Sequence, residues 1–297
     1  MFEPSEVSSD TRSAPAVTSH PVSFDCGEVV LRGDQWVGSD PGRHVLFLHG
    51  GGQTRHSWGR SAERMTQQGW TATAVDLRGH GESDWSPEGH YAVTENARDI
   101  EQMLAQLDTR PALVGASLGG LTSLTVQGTN PEAARGLVLV DIIPRPSLAG
   151  VGRIRDFMTG HLGGFDDLDH VADTIAEYTG RPRKTDLSGL GKNVRLREDG
   201  RYYWHWDPRL ISSQRDVDTR PPQDPDALLK LAATITVPVL IVRGGKSDVM
   251  TDEGVAELQA VLPHSELVVV PKAGHMVAGD NNDIFSAAIG DFLNRLD

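Results

Sequence analysis

The sequence predicts an α/β fold with a mainly parallel central sheet and one large insertion. Three observations carry this expectation. Short apolar runs rich in β-branched residues recur at His44–Leu48, Ala72–Val75, Ala112–Val114, Leu137–Val140, Val239–Val242 and Leu267–Val270. Helical patterns lie between them, as expected when parallel strands are joined by crossover helices. The alternation then breaks between Pro144 and about Leu231, where Gly, Pro, Arg and Asp become common.

Each run is continuously apolar rather than alternating, which suits strands covered on both faces. An earlier pair of runs, around Val22–Phe24 and Val29–Leu31, supplies a candidate antiparallel edge. Ile100, Met103, Leu104 and Leu107 share one helical face. Ile284, Phe285, Ala288, Ile289, Phe292, Leu293 and Leu296 mark an amphipathic helix near the end of the sequence. Inside the interruption, Leu168, Val171, Ile175 and Tyr178 suggest a short helix, and Glu198-Asp199-Gly200 a turn before the aromatic run Tyr202-Tyr203-Trp204-His205-Trp206. An insertion after the strand at Leu137–Val140 falls over the carboxyl ends of the strands, where ligands bind in such sheets. The expected division is a flexible tail over 1–20, a core formed by 21–143 and 232–297, and a cap over 144–231. Each of the cap aromatics Tyr202, Tyr203, Trp204 and Trp206 reads first as a packing residue, with at least one of them expected to line a pocket.

The 297 residues are enough for one large core. A formal net charge of −13 opposes binding to nucleic acid or to an anionic membrane surface. Cys26 is the single cysteine, so neither an intrachain disulfide nor a cysteine-based zinc site is expected. The first twenty residues lack a basic start and an apolar run, unlike a signal peptide, and the cytoplasm is the expected location. The histidines, among them His161, His170 and His205, form no spaced metal-binding motif, and no cofactor is expected.

The strongest local signal is Val114-Gly115-Ala116-Ser117-Leu118-Gly119-Gly120, a G-x-S-x-G between an apolar strand and a helical pattern. This is the setting of a nucleophile elbow, in which a serine sits on a tight strand-to-helix turn and glycines allow close backbone approach. Leu48-His49-Gly50-Gly51-Gly52 closes an earlier strand. Its glycines suit a loop whose amides face a developing oxyanion, with donors expected at Gly51 and at Leu118, directly after the serine. His49 is expected to anchor that loop.

Val270-Pro271-Lys272-Ala273-Gly274-His275 places a histidine just after the final apolar run, in the order serine, acid, histidine. A serine hydroxyl needs such a base to accept its proton. Two carboxylates compete as the acid. Asp248 lies in the loop Arg243-Gly244-Gly245-Lys246-Ser247-Asp248, and Asp141 ends the strand Leu137–Val140. Either could instead cap a helix or bond a loop.

Together with Asp76-Leu77-Arg78-Gly79-His80-Gly81-Glu82-Ser83, these motifs give the chain a resemblance to the α/β-hydrolase superfamily from about Val29 to Leu296. Within it, L-H-G-G-G-Q, G-A-S-L-G-G and V-R-G-G-K-S-D are most similar to capped bacterial serine esterases. The resemblance implies an α/β-hydrolase fold, a triad of Ser117, Asp248 and His275, and hydrolysis of small carboxylic esters through an acyl-enzyme. It favours Asp248 because the loop after Val239–Val242 is the usual position of the acid. The same framework also occurs in carbon–carbon bond hydrolases, lactonases, perhydrolases and small-molecule receptors with little turnover. Serine at 117 speaks against the related epoxide hydrolases and dehalogenases, which use an aspartate there.

Overall fold

The computed structural model describes residues 17–212, 224–271, 273–275 and 283–296. Most of the expected tail therefore lies outside the described residues. His20, assigned to it, opens the first strand.

An eight-stranded sheet runs in the order β1-β2-β4-β3-β5-β6-β9-β10. Its members are β1 (His20–Asp25), β2 (Val30–Trp36), β3 (His44–Leu48), β4 (Thr71–Val75), β5 (Ala112–Ala116), β6 (Leu137–Val140), β9 (Val239–Gly244) and β10 (Glu266–Val270). β2 is antiparallel to both neighbours, and every other pairing is parallel. The fold is the α/β-hydrolase fold, a mostly parallel sheet flanked by helices.

The continuous apolar runs have a simple cause. Successive strand side chains point to opposite faces, and both faces carry a core. Leu46 and Leu48 of β3, Leu113 of β5, Leu137 and Leu139 of β6, and Ile241 of β9 enter one cluster. Val45, Phe47, Val114, Val138, Val140, Leu240 and Val242 enter the other. Helices α2 (Val93–Leu104), α3 (Leu118–Thr129), α7 (Pro225–Ala232) and α8 (Asp252–Val261) cover the first face through residues such as Ile100, Leu124, Leu228 and Leu258. Helices α1 (Gly59–Gln67) and α9 (Asp283–Leu293) cover the second through Met65, Phe285, Ile289 and Phe292.

Between β6 and α7 the chain leaves this layering. It forms α4 (Leu148–Thr159), α5 (Leu168–Thr179), a two-stranded ribbon of β7 (Val194–Leu196) and β8 (Tyr202–Trp204), and the short α6 (Arg209–Ser212). This inserted segment has its own apolar cluster, containing Met158, Phe165, Val171, Leu190, Trp204, Trp206 and Leu210. The expected end of the insertion at 231 is too late. Leu228 and Ala232 of α7 belong to the main core, and α7 packs so closely on α3 that a Cβ at Gly128 would lie 3.0 Å from that of Leu231.

Candidate active site

The elbow is built by steric exclusion. A Cβ at Gly115 would overlap the Gly119 carbonyl, and one at Gly119 would overlap the Leu48 carbonyl, so β3, β5 and α3 meet only because these positions are glycine. Ser117 sits at the apex with φ 47° and ψ −114°, a conformation that L side chains rarely adopt. Its amide donates to the Val140 carbonyl (3.0 Å), and the Gly119 amide donates to the His49 carbonyl (3.0 Å). Such strain, of order 1–3 kcal/mol, persists where surrounding structure enforces it and clusters at functional sites.

The loop after β3 lies alongside. A Cβ at Gly50 would stand 3.3 Å from that of Ser117. The Gly50 amide donates to Gln53 Oε1 (3.0 Å) and the Gly52 amide to His80 Nε2 (3.2 Å). The amides of Gly51 and Leu118 are engaged in no hydrogen bond among the described residues. His49 is fully buried, donating from Nδ1 to the Gly50 carbonyl (2.8 Å) and accepting at Nε2 from the Leu77 amide (2.9 Å). Both of its nitrogens are thus occupied as loop anchors.

His275 reaches its carboxylate by a route that the glycines of β9 permit. A Cβ at Gly244 would overlap the Gly274 carbonyl and stand 2.8 Å from that of Ala273. The segment after β10 therefore lies across the end of β9, held by Gly245 N–H to Val270 O (2.8 Å) and Lys246 N–H to Ala273 O (2.9 Å). The crossing carries His275 to Asp141, at the end of β6, where Nδ1 and Oδ2 are 2.7 Å apart. Asp141 is 1 % exposed. Its carboxylate also accepts from the Gly244 amide (2.9 Å) and the Ser247 hydroxyl (2.6 Å). An Nδ1–H donated to Asp141 leaves Nε2 as the ring's proton acceptor.

The carboxylate bonded to His275 is thus Asp141, not the expected Asp248. Asp248 instead pairs with Arg153 of α4, and its backbone abuts the same helix, since a Cβ at Gly150 would overlap the Asp248 carbonyl. The R-G-G-K-S-D loop serves the histidine through its glycines and Ser247, while its aspartate faces the inserted segment. Backbone geometry marks the same residue. Among the described residues only Ser117, Asp141 and His161 are non-glycine with positive φ, 51° at Asp141.

The aromatic run supplies much of the inserted segment's packing. Trp204 and Trp206 are buried and stack on each other with centroids 4.7 Å apart, against Phe157 and Phe165. They form part of the inserted segment's core. Tyr203 lies at the surface, its hydroxyl on Asp199 (2.8 Å) and its ring under Arg197. Met158 of α4 meets the glycine loop, 3.4 Å from where a Cβ on Gly52 would be.

Four buried histidines are held neutral, chiefly by burial. His44 is pushed down to about 4 and His80 to about 3; His49 and His205 are also lowered. The unfolded chain, whose histidines titrate at about 6.5, takes up these protons first as pH falls. Stability is therefore expected to decline as pH drops below about 6.5, each such histidine adding a slope of up to ~1.4 kcal/mol per pH unit. Urea unfolding between pH 7 and 5, above most of the carboxylate range, checks this. A flat dependence contradicts it, and His44→Gln should remove one histidine's share.

A sequence model of the α/β hydrolase fold family matches residues 43–281. The chain is 33 % identical over 255 residues to Esterase Rv0045c of Mycobacterium tuberculosis, covering 83 % of this chain and 80 % of that protein. It is 28 % identical over 292 residues to 2-(acetamidomethylene)succinate hydrolase of Mesorhizobium japonicum, covering 95 % and 99 %. A crystal structure of E-2-(acetamidomethylene)succinate hydrolase superposes with a TM-score of 0.80 at 26 % identity, covering 93 % of this chain and 100 % of the other. One of the M. tuberculosis esterase superposes at 0.74 and 28 %, covering 95 % and 93 %. The chain belongs to the α/β-hydrolase superfamily and resembles its bacterial esterases. It is an enzyme of the hydrolase class. No helix among the described residues is long and apolar enough to cross a membrane.

Proposed function

We propose that this enzyme cleaves carboxylic esters of small molecules through an acyl-enzyme on Ser117, with His275 as base and Asp141 as the acid. The observation that carries the reading is the 2.7 Å hydrogen bond between His275 Nδ1 and the buried Asp141 carboxylate, in a fold that turns Ser117 out on a strained elbow. Ser117 Oγ attacks the ester carbonyl as its proton passes to His275 Nε2. The carbonyl oxygen becomes an oxyanion that accepts from the Gly51 and Leu118 amides. His275 then protonates the departing alkoxide. Water, deprotonated by the same nitrogen, attacks the acyl group and releases the acid and Ser117. Asp141 holds the imidazole in the required tautomer and balances the imidazolium charge. The inserted segment acts as a cap over this site, with Met158 against the glycine loop and Arg153 latched to Asp248.

The experiment is covalent trapping. A fluorophosphonate should add one equivalent at Ser117, located by peptide mass spectrometry, and abolish hydrolysis of p-nitrophenyl acetate and butyrate in proportion to labelling. Label elsewhere, or full labelling with undiminished hydrolysis, contradicts the reading. A second substrate class is favoured by the similarity to 2-(acetamidomethylene)succinate hydrolase along 95 % of the chain, so that compound belongs in the panel.

A further inference from the structure

The loop Asp76–Glu82 contains none of the residues assigned to bond making, yet it holds a fully buried histidine between the inserted segment and the glycine loop. His80 donates from Nδ1 to the Arg78 carbonyl (3.0 Å), which leaves Nε2 to accept from the Gly52 amide (3.2 Å). On its far side stands His205, which follows β8, is 2 % exposed, and lies 6.0 Å from His80 between ring centroids. His205 Nδ1 accepts from the amide of Gly81, the residue after His80 (2.8 Å). Its proton is therefore on Nε2, which is buried without a hydrogen bond among the described residues. The Gly52 carbonyl acts on that ring but falls short of a bond.

A buried donor left unbonded costs of order 1–3 kcal/mol. An apolar side chain would avoid that cost at Nε2 but would give up the acceptor for Gly81. The turn between the histidines has little freedom. A Cβ at Gly81 would overlap the Asp76 carboxylate, and the Asp207 amide donates to the Gly79 carbonyl (2.8 Å). Hydrogen bonds thus run from 205–207 to Gly79 and Gly81, on either side of His80, and from His80 to Gly52.

We propose that His205 and His80 are positioning residues that couple docking of the inserted segment to the placement of the Gly51 oxyanion donor. This rests on the Ser117 hydrolase reading given above. The oxyanion loop is aligned when 205–207 is seated, and it loosens when either ring loses its acceptor nitrogen.

The test uses His205→Ala and His80→Ala beside variants that restore an acceptor at the same place, Asn for an Nδ1 acceptor at 205 and Gln for an Nε2 acceptor at 80. On p-nitrophenyl acetate, kcat should fall about ten- to a hundredfold in both Ala variants, short of the ~10²–10³-fold loss on deleting an oxyanion donor. KM should stay within about threefold, and His205→Asn and His80→Gln should recover most of kcat. Hydrogen exchange supplies a readout independent of turnover. His205→Ala should speed exchange in the peptide spanning 49–54, which is distant in sequence. A purely local effect would speed exchange only within 148–211 and around Gly81, whose amide loses its acceptor. Unchanged exchange at 49–54, or a kcat equal to wild type in both Ala variants, overturns the coupling. If the Ala variant at 205 does not fold, His205→Leu removes the acceptor while filling the space. Ser117→Ala run in parallel separates the two ideas: hydrolysis that survives it refutes the hydrolase reading, while the exchange result still decides the coupling.

Discussion

Ser117→Ala is expected to lower kcat for p-nitrophenyl acetate by something approaching ~10⁶-fold, the loss known for a serine-protease nucleophile. The size follows from the chemistry. Without Oγ no acyl-enzyme forms, and what remains is the oxyanion hole and substrate binding acting on a direct attack by water. The variant should fold normally, because Ala carries the same Cβ at φ 47° and the hydroxyl makes no hydrogen bond among the described residues. Circular dichroism and the melting temperature check that point. An esterase rate that survives the substitution would remove the acyl-enzyme on Ser117 from consideration.

Asp141→Asn should cost about 10⁴-fold in kcat, as when the equivalent aspartate is replaced in a serine protease. Asn is well suited to this experiment because it tolerates positive φ at least as well as Asp, and Asp141 sits at 51°. Its amide can still bond Gly244 and Ser247, so the loop is kept while the imidazole loses its anionic partner. Asp248→Asn should cost less than about tenfold, through a weakened tie to Arg153 rather than through the histidine. The pH dependence separates the two. Asp141→Asn should retain activity chiefly at high pH, where hydroxide substitutes for general-base catalysis, whereas Asp248→Asn should keep the wild-type profile. The reverse pattern of losses would return the acid to the loop after β9.

Much of the fold is legible in the sequence. The six apolar runs match the six parallel-type strands, with bounds differing by no more than two residues, because a strand buried on both faces has an unbroken local signature. The antiparallel edge showed at β1 and at the start of β2, which runs on to Trp36, and the helix over 283–293 showed in its apolar face. Within the inserted segment the helix over 168–179 and the turn at 198–200 were visible, while its other short elements showed only as an interruption, since they pack on one another through contacts that no periodicity announces. Its end was misplaced because α7 is amphipathic whichever core it joins. The cap aromatics could not be divided between core and pocket for a related reason. A cluster of Trp and Tyr reads the same whether it lines a cavity or fills one, and the stacking of Trp204 on Trp206 exists only in the fold.

By itself, the sequence determined the α/β architecture, the elbow serine and the histidine after the last strand, since each is declared within a few residues by an apolar run, a glycine spacing or a chain order. The tertiary structure alone decided which carboxylate meets His275, a partner 134 residues away. Asp141 and Asp248 both follow sheet strands, and what separates them is whether the chain crosses β9 low enough to bring the imidazole to β6. That crossing depends on the missing Cβ at Gly244 and on a strand order in which β9 lies between β6 and β10. Both are properties of packing between distant segments, where sterics rather than local pattern select the neighbour.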